Sequence, residues 1–582
     1  MQRSTTAQQK KHLRTVGVSL VKLIPCPDDL QRIRRIVVDV HTATILVSHL
    51  INIHIRRMLE LPTVQLPTVP SESWLNGAWI LKAFYMVTVN GGKSRTLKED
   101  LELRATKDSD FPHVPTIVRG GMLQLLHYNA DALATAAHNN IFMHFKRNVC
   151  THVRNMKRLS AEDFKALPRA ERWERALELK RMAVDMVRIP GTVHKSRVAE
   201  NRAWVDEERT RLGIISVMAL KHHDWHVDTR GKDIVYYLKQ KATALHFLPV
   251  LQKMSTAGQA ADGKSFTLFP LRRSMVPCHI RFCRTALWQA LGNKDRTFGD
   301  TISLRGAKLR QTHLVVQGFT TDGVCARVNK CIEFTAKAEQ GRAALAQQPP
   351  RRGFYTIDEL RQTSAKLHDF KVIGVDPGKR EMVCAMDPEA IENDRRASAV
   401  RYTMAQRLRD RKSVQAMLRT RPPPEVQALE TALSTLNSRA ASLVDFKAYS
   451  EAALASCAAR GVFYQELKHR QQRWLTYKKL QKSEQRLYDR LAGMKRKSDD
   501  RTLLLAYGSW GLVAGRPNMV GNKGLPPTIG VGLMRKLALH FVVALTPESW
   551  TSKTCCVCEH ECGAHPTMRT KKTNREIRGP AA

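Results

Sequence analysis

Aromatic residues make up only 6% of the 582 positions, and no run approaches the roughly 20 consecutive apolar residues that span a bilayer. The best candidate, Thr44 to Ile53, is short and is interrupted by His49, so membrane insertion is not expected. The amino terminus carries Arg3, Lys10, Lys11 and Arg14 but no apolar stretch of the secretory kind, so the chain is expected to stay in a reducing compartment. Twelve cysteines are scattered singly until Cys555, Cys556, Cys558 and Cys562 crowd together. That distribution excludes a disulfide framework and points to a metal site. Carboxylates are also few: Asp plus Glu total 53 against 95 Lys plus Arg, a formal net charge of +42 with pI about 10.2. Such a field calls for a polyanion. The basic residues recur along the whole chain, which suits a long phosphate-lined track better than one patch. Charge alone leaves a ribosome-associated or histone-like binder equally open.

At 582 residues the chain exceeds what one hydrophobic core organises, so roughly two to four domains are expected. Thr15 to Leu23 reads as a short strand and Leu30 to Leu61 as one or two amphipathic helices. Further on, as in Ala161 to Val187, apolar positions at three-to-four spacing sit among Arg, Lys and Glu, describing helices with a wide solvated face. Between Ser265 and Ile332 the texture changes to short apolar runs with turn residues, such as Phe266-Thr-Leu-Phe-Pro270 and His313-Leu-Val-Val-Gln317. This is the pattern of a small β domain. Gln347-Gln-Pro-Pro-Arg-Arg-Gly353 reads as a linker. Beyond it, strands Lys371 to Val375 and Thr502 to Ala506 bracket mostly helical residues that begin after Pro422-Pro-Pro424, as a helical insertion in an α/β core would. His222-His-Asp-Trp-His226 reads as a polar helix end rather than a metal site.

Val372-Ile-Gly-Val-Asp376-Pro-Gly-Lys-Arg380 is an apolar strand with a carboxylate at its end, followed by a turn and a further strand, Met382 to Met386. An RNase H fold presents its first metal ligand in this way, although Asp-Pro-Gly after a strand also occurs as a plain turn. Two-metal phosphodiester hydrolysis needs carboxylates converging from several strands, so that Mg²⁺ ions about 4 Å apart hold the attacking and leaving oxygens. Thr502-Leu-Leu-Leu-Ala-Tyr-Gly508 is a second buried strand, after which such a nuclease presents a Glu; none follows it here. Phe541-Val-Val-Ala-Leu-Thr-Pro-Glu548 is another strand ending in a carboxylate, which makes Glu548 the best second ligand, a surface Glu being the plain alternative. No Asp follows Glu548. Cys555-x-x-Cys558 has the tight-turn spacing of a zinc knuckle, but no second such pair follows. Cys562 and His565 are left to complete an irregular site, with His560 competing.

These elements in this order resemble the Fanzor family, eukaryotic relatives of the TnpB transposon nucleases. The resemblance rests on Asp376 to Arg380, Arg401-Tyr-Thr, Phe463-Tyr through Arg470, Arg473-Trp474, Tyr477 to Gln481, Ala506-Tyr-Gly508 and Lys523-Gly-Leu-Pro-Pro-Thr528. It continues in Glu548 just before Thr551-Ser-Lys-Thr-Cys555, where many members carry a substitute for the usual glutamate. Upstream, Phe269 to Ile280 and Thr320-Thr-Asp-Gly-Val324 look like blocks of the family's wedge domain. The match covers about residues 265 to 579 by motif and is weaker over 15 to 264.

The resemblance implies a multidomain α+β fold. Its parts are a basic arm (1–14), a first wedge strand (15–30), a helical recognition lobe (31–255), a small β-barrel wedge domain (256–340) and a linker (341–368). An RNase H-like RuvC domain (369–548) with a helical insertion (405–500) and a partial zinc ribbon (549–582) follow. It further implies a transposon-associated, nuclear, RNA-guided DNA endonuclease, with guide RNA and target DNA as partners and no membrane. Base pairing would read sequence while the protein grips backbones and a short flanking motif. Asp376 and Glu548 would hold Mg²⁺, and Cys555 and Cys558 would form a partial Zn²⁺ site. Lys495-Arg-Lys497 is one basic import signal. The family ends with a second knuckle and an Asn-Arg-Asp segment, and Arg575-Glu-Ile-Arg-Gly579 looks like the point just before that knuckle. The chain is therefore expected to be truncated at its C-terminus and to cleave weakly or not at all. The alternatives are a cleavage-incompetent RNA or DNA binder derived from such a nuclease and an unrelated basic RNA-binding protein.

Overall fold

Pro27–Glu60 is one 34-residue helix. Pro27 occupies its first turn, where a missing N–H costs nothing, and Asp28 and Asp29 meet the positive end of the helix dipole. From His41 to Ile55 almost every position is buried, so this stretch is enclosed all round rather than along one stripe. It is long and apolar enough to cross a membrane by length and composition, yet 83% of its most apolar window is buried within the protein. The run Thr44 to Ile53 is thus part of one core helix, where the sequence spacing left one or two helices open over Leu30 to Leu61.

The polar groups on this helix explain how it tolerates burial. His41 Nε2 lies 2.9 Å from the Ser274 carbonyl, His54 Nδ1 lies 3.0 Å from Thr106 Oγ1, and Arg56 Nε donates to the Ala440 carbonyl at 2.9 Å. Arg56 also donates to the backbone and side chain of Asn52 and lies 3.9 Å from the Phe446 ring centre. An unpaired buried polar group costs about 1–3 kcal/mol, so these partners keep the helix from losing what its aliphatic residues contribute.

The computed structural model describes residues 13–61, 73–89, 100–112, 122–159, 161–188, 193–219, 244–263, 265–292, 318–331, 367–378, 381–390, 399–411, 420–496, 498–508 and 530–546, with some shorter pieces. The protein is mixed α+β, with two main sheets and two compact units. The first unit comprises His12–Cys331 with Thr420–Gln472. Around Pro27–Glu60 it packs helices Gly77–Val87, Leu123–Met156 and Leu443–Ala455. Its sheet contains β1 (Leu13–Ser19), β2 (Ile280–Phe282), β3 (Phe319–Thr321) and β4 (Cys325–Cys331), in the antiparallel order β1-β4-β3-β2. The N-terminal strand therefore pairs with one more than 300 residues later in the chain, Leu13 opposite Cys331.

Two local expectations change here. The first strand stops at Ser19, because Leu20–Leu23 turns into a short helix that buries Leu20 and Leu23. Phe266–Pro270 is not a strand. Phe266, Leu268 and Phe269 are buried, but the Asn140 amide takes the Thr267 carbonyl at 3.1 Å, replacing a ladder partner with a side chain. His313–Gln317 and His222–His226 lie outside the described residues.

The second unit comprises Met1–Lys11, Ile332–Arg419 and Arg473–Ala582. Its described centre is a six-stranded sheet built from β5 (Tyr355–Thr356), β6 (Phe370–Asp376), β7 (Glu381–Met386), β8 (Ala399–Thr403), β9 (Thr502–Gly508) and β10 (Val542–Thr546). The order is β8-β7-β6-β9-β10-β5, with β6, β7 and β8 antiparallel and β9, β10 and β5 parallel to β6. The sequence reading assigns residues 405–500 to an insertion in the nuclease domain. In the structure Thr420–Gln472 belongs to the first unit, whereas the helix from Arg473 to Ala492 belongs to the second.

Candidate metal and nucleic-acid site

Asp376 ends β6, the strand whose neighbours on both sides, β7 and β9, make it central to the sheet. Ile373 and Val375 anchor that strand in the core, and the exposed carboxylate follows. Pro377 then withholds a donor, which stops the ladder. The Gly378 N–H donates to the Glu381 carbonyl at 2.8 Å, and a Cβ at Gly378 would meet that oxygen at 2.7 Å. The turn therefore requires glycine, and it sets Glu381 beside Asp376. Partial burial, and next the Glu381 carboxylate, raise the Asp376 pKa above the ordinary value. Arg401 on β8 lies 3.9 Å from Glu381, and across the ladder both Asp376 and Arg401 face Cys384. Burial and then Glu381 push the Cys384 thiol up as well.

Val375, Tyr507 and Leu545 form one row across β6, β9 and β10. Asp376 and Thr546 each follow by one residue, so the two chains leave the same sheet edge roughly 10 Å apart. Glu548 comes two residues after β10 and lies outside the described residues, as do Cys555, Cys558, Cys562 and His565. At the far end of β6 the polar chemistry is structural. Buried Lys371 donates to Asp387 and Glu389, each at 2.7 Å, and Arg501 forks onto Glu389 at 2.9 Å. Arg501 first and Lys371 second hold Glu389 down to about 2.

The helix from Arg473 to Ala492 presents two faces. Leu487, Tyr488 and Leu491 enter the sheet's core, Ser483 meets the Tyr402 hydroxyl at 2.8 Å, and buried Glu484 pairs with Arg407 at 3.1 Å and Lys536 at 2.5 Å. On the outer face Lys478, Lys482 and Arg486 are exposed at intervals of one i+4 step, about 6 Å along the axis. Trp474 and Tyr477 stack with ring centres 5.4 Å apart, and Lys478 lies 5.6 Å over Trp474. Like charges at i+4 destabilise a helix by about 0.2–0.5 kcal/mol a pair, so this row weakens the free protein and favours a polyanion.

Among the described residues, the set of three side chains able to hold a metal ion is not at Asp376 but in the first unit: His279, Asp322 and Cys325, with donor atoms within 4.8 Å of one another. Two features escaped the sequence reading. Glu381 was unmarked beside Asp376, although the Pro-Gly turn between them was the available signal. His279 and Asp322 fall inside the runs Phe269 to Ile280 and Thr320 to Val324, Cys325 lies just past the second, and grouping the three requires knowing that β2 and β3 pair. A scan of protein-family models and a search of curated proteins return no match.

Proposed function

We propose that this protein is an RNA-guided DNA endonuclease of the Fanzor kind, with an RNase H-like RuvC core in the second unit. The observation that carries this reading is Asp376 at the end of a central strand, on the sheet edge from which β10 leads to Glu548. Oxygen donors of this type suit a hard divalent cation, and the crowding of Asp376 by Glu381 is charge that a cation relieves. Asp376 and Glu548 would hold Mg²⁺, which when bound supplies Lewis-acid stabilisation to phosphodiester hydrolysis. Lys478, Lys482 and Arg486 would track a nucleic-acid backbone, while the Trp474–Tyr477 stack offers a base a flat apolar surface. A knuckle at Cys555 and Cys558 would take Zn²⁺, and DNA as substrate implies nuclear residence.

A second reading is a guide-binding protein that does not cut, for which the exposed basic row Lys478, Lys482 and Arg486 would grip a backbone without any metal site. Both readings are tested by purifying the protein from its host, sequencing the RNA it retains, and offering it matched DNA with Mg²⁺. Cleavage lost in Asp376→Ala with RNA retention unchanged supports the endonuclease. Specific RNA without cleavage supports the second reading. RNA no different from random cellular RNA overturns both.

A further inference from the structure

His279 stands one residue before β2, and Asp322 one residue after β3. Because Ile280 pairs with Thr321, the two side chains meet at the end of that ladder, and the turn back into β4 brings Cys325 to the same point. His279 Nε2 is 3.3 Å from Cys325 Sγ, close to the roughly 3.5 Å that tetrahedral coordination sets between nitrogen and sulfur with metal–ligand bonds of about 2.0–2.3 Å.

The turn is fixed independently of any ion. Asp322 Oδ1 accepts the Val324 and Cys325 N–H groups at 3.1 and 3.0 Å, which orients the carboxylate. The Thr321 hydroxyl bonds the Cys325 carbonyl at 2.7 Å and takes the Gly323 N–H at 3.0 Å. Gly323 has φ +87°, a conformation that favours glycine. Arg34 donates to the Gly323 carbonyl and Arg470 to the Asp322 carbonyl, at 3.1 and 2.8 Å. Asp322 is 1% exposed and Cys325 7%. A preformed, desolvated set of ligands is what binds a metal without an ordering penalty.

We propose that His279, Asp322 and Cys325 form a zinc site, distinct from Asp376 and from Cys555 and Cys558, with a fourth position for solvent. One nitrogen, one thiolate and one carboxylate match a borderline-soft ion and mismatch Mg²⁺ or Ca²⁺, which prefer oxygen alone. On binding, the Cys325 S–H bond breaks, a Zn–S bond forms, and the proton leaves to solvent. Zn²⁺ with one thiolate and one carboxylate is a neutral set, and relative to the empty site it adds one positive charge beside Arg34 and Arg470. The ion would tie the start of β2 to the β3–β4 turn, closing the sheet that also receives β1.

The test uses the full chain with Cys555→Ser and Cys558→Ser, which removes the other cysteine pair. After incubation with zinc and desalting, elemental analysis is expected to find about one zinc per chain, and cobalt in its place is expected to show a thiolate charge-transfer band. Cys325→Ser removes the band and the bound zinc. His279→Gln and Asp322→Asn are each expected to weaken zinc by about tenfold or more. Asp322→Asn keeps the oxygen that caps Val324 and Cys325, so it separates ligation from folding if Cys325→Ser does not fold. No bound zinc in the starting protein, or zinc held undiminished by His279→Gln and Asp322→Asn, overturns the site.

Discussion

His49 Nδ1 lies 2.6 Å from Ser450 Oγ across a separation of 401 residues. His49 also stacks against Tyr449, ring centres 6.1 Å apart and nearly parallel. Burial, with Arg460 assisting, lowers the His49 pKa to about 3; burial lowers His54 to about 4, opposed by Asp100 and assisted by Arg57. Both folded values lie below the unfolded value near 6.5. The unfolded chain therefore takes up protons first as the solution acidifies, and stability present above pH 6.5 is lost as pH falls toward 4 and then 3. Denaturant midpoints for the first unit should fall between pH 7.5 and pH 5, and His49→Gln should shrink that fall. A midpoint that does not move with pH would show that these imidazoles are protonated in the fold.

This contact marks where sequence reading stops. The strands Lys371 to Val375, Met382 to Met386 and Thr502 to Ala506 were legible because each is a short apolar run with a turn beside it, and each lies within a residue or two of its structural bounds. The neighbours of β6 were not legible, because pairing β6 with β9 joins Phe370 to Thr502 across a long helical excursion. The helix Leu443–Ala455 has apolar positions that give no sign of their partner. Only in three dimensions do Phe446, Tyr449 and Ala453 meet Ile53. Asp376 was readable from its own strand, whereas Glu381 became relevant through the turn that folds it back. The run Thr320 to Val324 hides its chemistry until His279 arrives from the next strand of the sheet.

Gly378→Ala tests the turn that positions Asp376. The added Cβ meets a backbone oxygen at 2.7 Å, so the turn must open rather than a side chain swing away. A loss of about 1–3 kcal/mol is expected for the second unit, together with loss of any property that depends on the Asp376–Glu381 approach. Equilibrium unfolding with probes in each unit measures it. An unchanged stability would mean that the turn has room the backbone geometry denies.

The basic row on the helix from Arg473 makes a prediction about salt. Replacing Lys478, Lys482 and Arg486 together by Ala should reduce the slope of log affinity against log salt for single-stranded nucleic acid by about 2, at roughly 0.7 per phosphate contact. The thermal midpoint should hold or rise slightly, because like-charge repulsion along the helix is removed. Trp474→Ala should weaken binding by about 1–3 kcal/mol with little change in slope, since stacking releases no counterions. A slope unmoved by the triple substitution would relegate this face to plain solvation.

The last prediction separates the carboxylates around Asp376 by role. Glu381 is close enough to raise the Asp376 pKa, but Arg401 lies 3.9 Å from it and competes for its charge, so at the proposed metal site Glu381 is expected to be a neighbour rather than a ligand. Glu548 follows two residues after the end of β10, the strand that leaves the same sheet edge. Mn²⁺ in place of Mg²⁺ gives a readout that does not require cleavage, because electron paramagnetic resonance counts the bound ion. Asp376→Ala and Glu548→Ala should each weaken that binding by about tenfold or more, and Glu381→Gln by clearly less, since a charge removed at a distance alters affinity more gently than a lost ligand. Under the proposed endonuclease reading, the same order should hold for DNA cutting. Should Glu381→Gln lower Mn²⁺ binding as much as Asp376→Ala while Glu548→Ala leaves it intact, the ion rests on the Asp376–Glu381 pair, and Glu548 is a surface residue at the end of its strand.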